Sequence, residues 1–177
     1  MQVATDNMKK YIVFILTLIS LDCIGQEARN AISSDSVIRK IRKEVEKINA
    51  DSSKQKIIIE NISGESEEGG EIKKFYFDSK LCKAIIKFYG ETGSAIKEYY
   101  FLNGLILFLY EREERYDKPI YNTKSKVNEI FENRFYFDNE KLFRWIKGNK
   151  IMNKVIYSSK KTEIESDMKE FFKRASK

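Results

Sequence analysis

The chain has 177 residues, and its 33 Lys and Arg against 27 Asp and Glu leave a net charge of +6. It contains no histidine and two cysteines, which excludes Ser–His and Cys–His nucleophile pairs, histidine-based zinc sites and a four-cysteine metal site. No Gly-x-Ser-x-Gly elbow, phosphate-binding loop or dinucleotide fingerprint is present either.

In chain order, the first element is an export signal. Met8-Lys9-Lys10 is a short positive start, Tyr11 to Leu21 is an uncharged apolar run, and Asp22-Cys23-Ile24-Gly25-Gln26 follows. That order of positive, apolar and small-residue segments is the pattern of a secretory signal. A bilayer span needs roughly 20 apolar residues, more than this run supplies. Gly25 and Cys23 supply the small side chains that cleavage requires, so residues 1–25 are read as a cleaved signal peptide and Gln26 as the mature start. Met8 is an alternative initiator. The rival reading is a lipoprotein, lipidated at Cys23 and held to the outer membrane. Against it, Asp22 stands where that motif wants a small residue. The style of the segment, ending just before Gln, resembles small exported proteins of Bacteroidota, which implies a periplasmic or extracellular location.

Residues 26–33 read as a flexible leader and residues 34–177 as a single α+β domain. Ser34, Asp35 and Ser36 offer helix N-caps. Val37, Ile41, Val45 and Ile48 recur at helical spacing, and Asn49 to Ser53 ends that helix. Ile57-Ile58-Ile59 begins the strands, and Ser63 to Gly70 is an acidic loop. Hairpins are expected for 72–77 with 81–89, for 95–102 with 105–110, and for 127–137 with 142–146. The middle one turns on Asn103-Gly104, a pair that readily takes positive φ at both positions. Glu111 to Lys126 reads as a long polar connection, and Met152 to Tyr157 as a further strand. Thr162-x-x-Glu165 fits a capping box for a last helix. Its apolar face is Ile164, Met168, Phe171 and Phe172, with acids leading and bases closing it.

Phe75-Tyr76-Phe77-Asp78-Ser79-Lys80-Leu81 recurs as Tyr99-Tyr100-Phe101-Leu102-Asn103-Gly104-Leu105, and one residue longer from Phe135 to Leu142. These units resemble the hairpin unit of MORN-variant repeats, which implies one supersecondary motif used several times. The expected fold is a meandering antiparallel sheet of six to eight strands with an N-terminal and a C-terminal helix packed on it, both helices covering one face. Leu105 to Tyr110 is apolar on both sides, so the second face is read as curled over on itself or covered by a partner.

No catalytic, cofactor-binding or metal residue is assigned. Glu65, Glu67, Glu68 and Glu71 match no calcium loop and read as a solvated turn. Cys82 alternates with Ala84, Ile86 and Phe88 and reads as a small buried residue. Tyr76, Tyr100, Tyr110, Tyr136, Arg144 and Trp145 form the candidate interaction surface, because aromatic residues and Arg are enriched at binding hot spots. The function expected is a non-enzymatic binding module of the bacterial envelope. Its partner would be another envelope protein or a second copy, with no nucleic acid and no membrane contact beyond a lipid on Cys23. The alternatives are a hydrolase of envelope polymers using Glu111, Glu113 and Glu114, and an inhibitor or immunity-like protein.

Overall fold

The computed structural model describes residues 34–62 and 68–173. The segments read as a signal peptide and a leader, with Cys23 and Gln26, and also Glu65 and Glu67, lie outside the described residues. The chain divides into two compact units, residues 1–40 and 41–177. Of the first, the described part is 34–40, the opening turns of helix α1 (residues 34–50), in which Ile38 is buried.

The second unit carries one antiparallel sheet with its strands in sequence order. They are β1 (Lys56–Ile62), β2 (Gly70–Phe77), β3 (Lys80–Gly90), β4 (Gly93–Leu102), β5 (Leu105–Tyr116), β6 (Val127–Asp138), β7 (Lys141–Lys147) and β8 (Lys150–Ile151). Helix α2 (Tyr157–Lys173) closes the described chain. The α+β meander with a helix at each end is therefore as expected from the sequence.

Three of the hairpins are built identically. Each turns on two residues with positive φ: Asp78 (47°) and Ser79 (62°), Asn103 (51°) and Gly104 (82°), Asn139 (45°) and Glu140 (62°). This handedness matches the twist of the flanking strands. Each then carries a bulge, at which pairing shifts between Phe75/Tyr76, Tyr100/Phe101 and Tyr136/Phe137. The extra residues are Cys82, Leu107 and Phe143, each two positions past the start of the returning strand. The repeat is thus structural, but its alignment differs by one residue in the first unit. The turns superpose Phe75 on Tyr100 and Tyr136, and Tyr76 on Phe101 and Phe137. A one-residue offset exchanges the sheet faces, so Tyr76 lies on the opposite face from Tyr100 and Tyr136.

The two helices cover opposite faces, not one. Under α2 lie Ile72, Ala84, Ile86, Tyr99, Phe101, Leu109, Phe135, Phe137 and Leu142, with Tyr157, Ile164 and Phe171 of the helix packed on them. Phe172 meets the edges of Tyr99 and Phe101, at ring centroid distances of 5.4 and 5.6 Å. On the other face the rings of Tyr100, Phe108 and Tyr136 form a ladder with centroids 5.8 and 5.0 Å apart. Ile41 and Val45 of α1 lie over Phe108 and Tyr136, and Asn49 donates to the Tyr100 hydroxyl at 3.3 Å. This explains the two-sided apolar character of β5: Leu109 faces α2 and Phe108 faces α1.

Other expectations are corrected. β5 runs on to Tyr116, because Glu111 to Arg115 pair in register with β4 and β6. Residues 152–157 are not a strand. Asn153 accepts from the Val155 amide and starts a 3₁₀ turn at Lys154–Ile156. Helix α2 begins at Tyr157, so Thr162 and Glu165 are interior. Thr162 bonds back to the Ser158 carbonyl and Glu165 pairs with Lys161. Its first turn carries no acid. Packing sets this start: the buried Tyr157 hydroxyl donates to the Met152 carbonyl and accepts from the Trp145 amide, both at 3.1 Å. Cys82, displaced by its bulge, is only half-buried, and its Sγ lies 3.2 Å from the Phe75 carbonyl. Burial raises its thiol pKa, so it stays protonated near neutrality.

Candidate functional site

Because an antiparallel meander returns to the same end with every second connection, the three bulged turns arrive at the same end of the sheet. There the tips of the first two hairpins stand between two grooves. One, of about 830 Å³, runs along α2, with Leu81, Phe101, Ile106, Met168 and Phe172 as apolar walls and Lys80, Glu140, Glu165 and Lys169 at its rim. The other, of about 290 Å³, lies on the opposite side, between Ile48 of α1 with Asp51 of the 3₁₀ turn that follows it and Phe77, Leu81 and Leu102. Hairpin tips are ordinarily polar. Here Leu102 and Leu105, which flank Asn103-Gly104, are 42% and 41% exposed, and Phe77 beside Asp78-Ser79 is 41% exposed. The grooves share Lys80, Leu81, Phe101 and Asn103. Phe77 and Leu102 line the smaller one, and Leu105 pairs with Leu102, so the three exposed side chains form an apolar cluster on the α1 side of the tips.

A second constellation lies under the first half of α2. Lys97 pairs with Asp167 and stands 3.9 Å from Glu111, as does Lys160. Asn133 donates to Glu111 at 3.3 Å and accepts from the Trp145 indole at 3.0 Å. Lys160 also lies over the rings of Phe135 and Trp145, at 5.4 and 5.9 Å. Burial is the dominant influence on Glu111 and pushes its carboxyl above the usual carboxylate range, with Lys160 and Lys97 opposing. The Tyr99 hydroxyl is buried beside these charges without a hydrogen-bond partner among the described residues.

The three carboxylates of the hydrolase reading do not converge. Glu111 points under α2, Glu113 pairs with Arg115 at 2.9 Å, and Glu114, on the opposite face, accepts from Arg112 at 3.0 Å. Among the described residues, no group of three or more Asp, Glu or Cys is placed to hold a metal ion.

The six residues singled out as an interaction surface are divided by the fold. Tyr100 and Tyr136 are 3% and 2% exposed beneath α1, so they serve as core. Trp145 is half-buried on the α2 face, and the register places Tyr76 on that same face. Tyr110 and Arg144 are half-buried on the α1 face. Tyr110 donates to Glu132, and Arg134 covers its ring at 5.8 Å and pairs with Glu132 at 2.9 Å. Arg144 stands opposite Tyr136. Sequence reasoning missed Leu102, Leu105 and Phe77. The available signal was large apolar residues directly flanking two-residue turns.

No family model, curated protein or solved structure matches the chain.

Proposed function

We propose that this protein is an exported, non-catalytic interaction module of the bacterial envelope that grips an apolar segment of another envelope protein at its hairpin tips. The observation that carries the reading is the exposed apolar cluster of Phe77, Leu102 and Leu105 on the α1 side of the hairpin tips, where Phe77 and Leu102 line the smaller groove and Leu105 pairs with Leu102. Exposed apolar surface rimmed by charge is a feature of recognition sites, and Glu44, Lys47, Asp51 and Lys80, which line the smaller groove, supply both signs of charge to orient a bound segment. Export rests on the Met8 to Gln26 pattern. The non-catalytic reading is supported by the dispersal of Glu111, Glu113 and Glu114. A protein target in place of nucleic acid is supported by the pairing of the strand bases with acids, as in Lys83–Glu98 and Arg134–Glu132.

Panning a displayed random-peptide library against the folded protein tests the reading. Selected peptides should be rich in aliphatic and aromatic residues and lose at least about tenfold in affinity, some 1.4 kcal/mol, toward Leu102→Glu. The variant should keep the wild-type far-UV spectrum. Peptides that bind wild type and Leu102→Glu equally would refute the tip site. The intact mass of the protein from native cells tests export: a chain beginning at Gln26 is expected, and an unprocessed chain overturns it.

A further inference from the structure

We propose that the protein self-associates as a two-fold dimer through antiparallel pairing of β1 with β1 of a second copy, centred on Ile58. Among the described residues β1 has one strand neighbour, β2, and its other edge forms a margin of the sheet. Such an edge is a template for another strand unless proline, a bulge or an uncompensated charge blunts it. β1 pairs with β2 over seven residues without a register shift and contains no proline. Ile57 and Ile59, which share the α1 face of the sheet, are 48% and 55% exposed.

The sequence of the edge selects the occupant. About a two-fold at Ile58, Lys56 stands opposite Glu60 of the partner subunit, Ile57 opposite Ile59 of the partner subunit, and Ile58 opposite its own counterpart. One face of the junction then carries four isoleucines in cross-strand contact, and the other two ion pairs flanking an isoleucine pair. Both kinds of cross-strand pair stabilise a sheet. Centring on Ile57 sets isoleucine against Lys56 and Gln55. Centring on Ile59 sets isoleucine against Glu60, Asn61 and Lys56. Only the Ile58 register matches like with like and opposite charge with opposite charge. Glu60 already accepts from the buried Lys74 at 3.0 Å through both oxygens. Its side chain remains 35% exposed and each oxygen retains a lone pair for a second donor. The opposite margin, β8, has two residues. A head-to-tail β1–β8 contact would therefore pair few residues and would leave edges open to growth, whereas the isologous β1–β1 contact closes.

Sedimentation of the full chain over a concentration series should show a monomer–dimer equilibrium. Ile59→Lys should weaken it at least about tenfold without changing the far-UV spectrum or thermal unfolding. The register is read independently in a Cys23→Ser, Cys82→Ser background. Ile58→Cys should oxidise to a disulfide dimer, since directly opposed residues of antiparallel strands lie about 4.5–5.5 Å apart at Cα, within disulfide reach. Ile57→Cys alone should not, whereas Ile57→Cys combined with Ile59→Cys should. Leu102→Glu should leave the dimer intact, which separates this contact from the tip site. A monomer at every concentration, a dimer indifferent to Ile59→Lys, or cross-linking through Ile57→Cys alone would overturn the proposal. A β1 edge covered by another segment of the same chain gives the first of these results.

Discussion

The phenol oxygen of Tyr99 offers a test in which the usual sign is reversed. Tyr99 is 0% exposed at the centre of the sheet, with Ala84 and Leu109 as cross-strand neighbours and Phe172 of α2 above it. Its hydroxyl is buried without a partner among the described residues. An unsatisfied buried hydroxyl costs about 1–3 kcal/mol in desolvation. Tyr99→Phe keeps the ring and its edge contacts and removes only that oxygen, so a gain of about 1 kcal/mol at pH 7 is expected. For a chain of this size that corresponds to roughly 2–4 °C in Tm. The pH dependence adds a second readout. Burial, then the carboxylates of Asp167, Glu111 and Glu163, push the Tyr99 phenol far above its ordinary value. The unfolded chain ionises near pH 10. With the folded value raised, stability associated with this group is fully present below pH 10 and falls above it, by about 1.4 kcal/mol per pH unit. The variant lacks that loss, so its advantage should widen to about 2 kcal/mol near pH 11. Urea denaturation of both proteins at pH 7 and pH 11 measures it. A Tyr99→Phe protein less stable than wild type at pH 7 would show that the hydroxyl is satisfied, and the reasoning would fail.

Three further outcomes are expected. Burial raises Glu111, so its stabilising contribution is largest below its unfolded value near pH 4 and declines as pH rises through the folded value. Glu111→Gln should flatten the fall in stability that sets in above about pH 4, checked by urea titrations from acid to neutral pH. Lys74 is 1% exposed and occupies the place that Tyr99 and Phe135 take in the other two hairpins. Lys74→Met should therefore change stability by no more than about 1 kcal/mol, leaving a half-exposed Glu60 to water, while Glu60→Ala strands a buried ammonium and should cost roughly 3 kcal/mol. Thermal melts of the two variants compare them directly. Ser79 holds φ of 62° where the middle hairpin has Gly104. Ser79→Gly should add roughly 1 kcal/mol by relieving left-handed strain, visible as a raised urea midpoint.

What the sequence determined by itself was local. Asn103-Gly104 specifies its turn because few other residues accept two positive φ angles, and the aromatic runs on either side specify strands through their period of two. The apolar faces of α1 and α2 follow in the same way from their period of 3.6. A meander with a helix at each end needs nothing further. The assignments that depend on which face a side chain meets were decided by tertiary structure. Tyr100 and Tyr136 read as exposed binding residues, yet α1 lies over them, and no local pattern says on which face a distant helix will settle. The first turn, at Asp78-Ser79, sits one residue nearer its aromatic run than the turns at Asn103-Gly104 and Asn139-Glu140 do, which puts Tyr76 on the opposite face from its apparent equivalents. Capping at Thr162 lost to the burial of Tyr157, since docking one aromatic ring with two hydrogen bonds outweighs a single terminal cap. The apolar cluster at the tips likewise exists only once the first two hairpins lie side by side, because Phe77 of β2 joins Leu102 and Leu105 across the intervening β3.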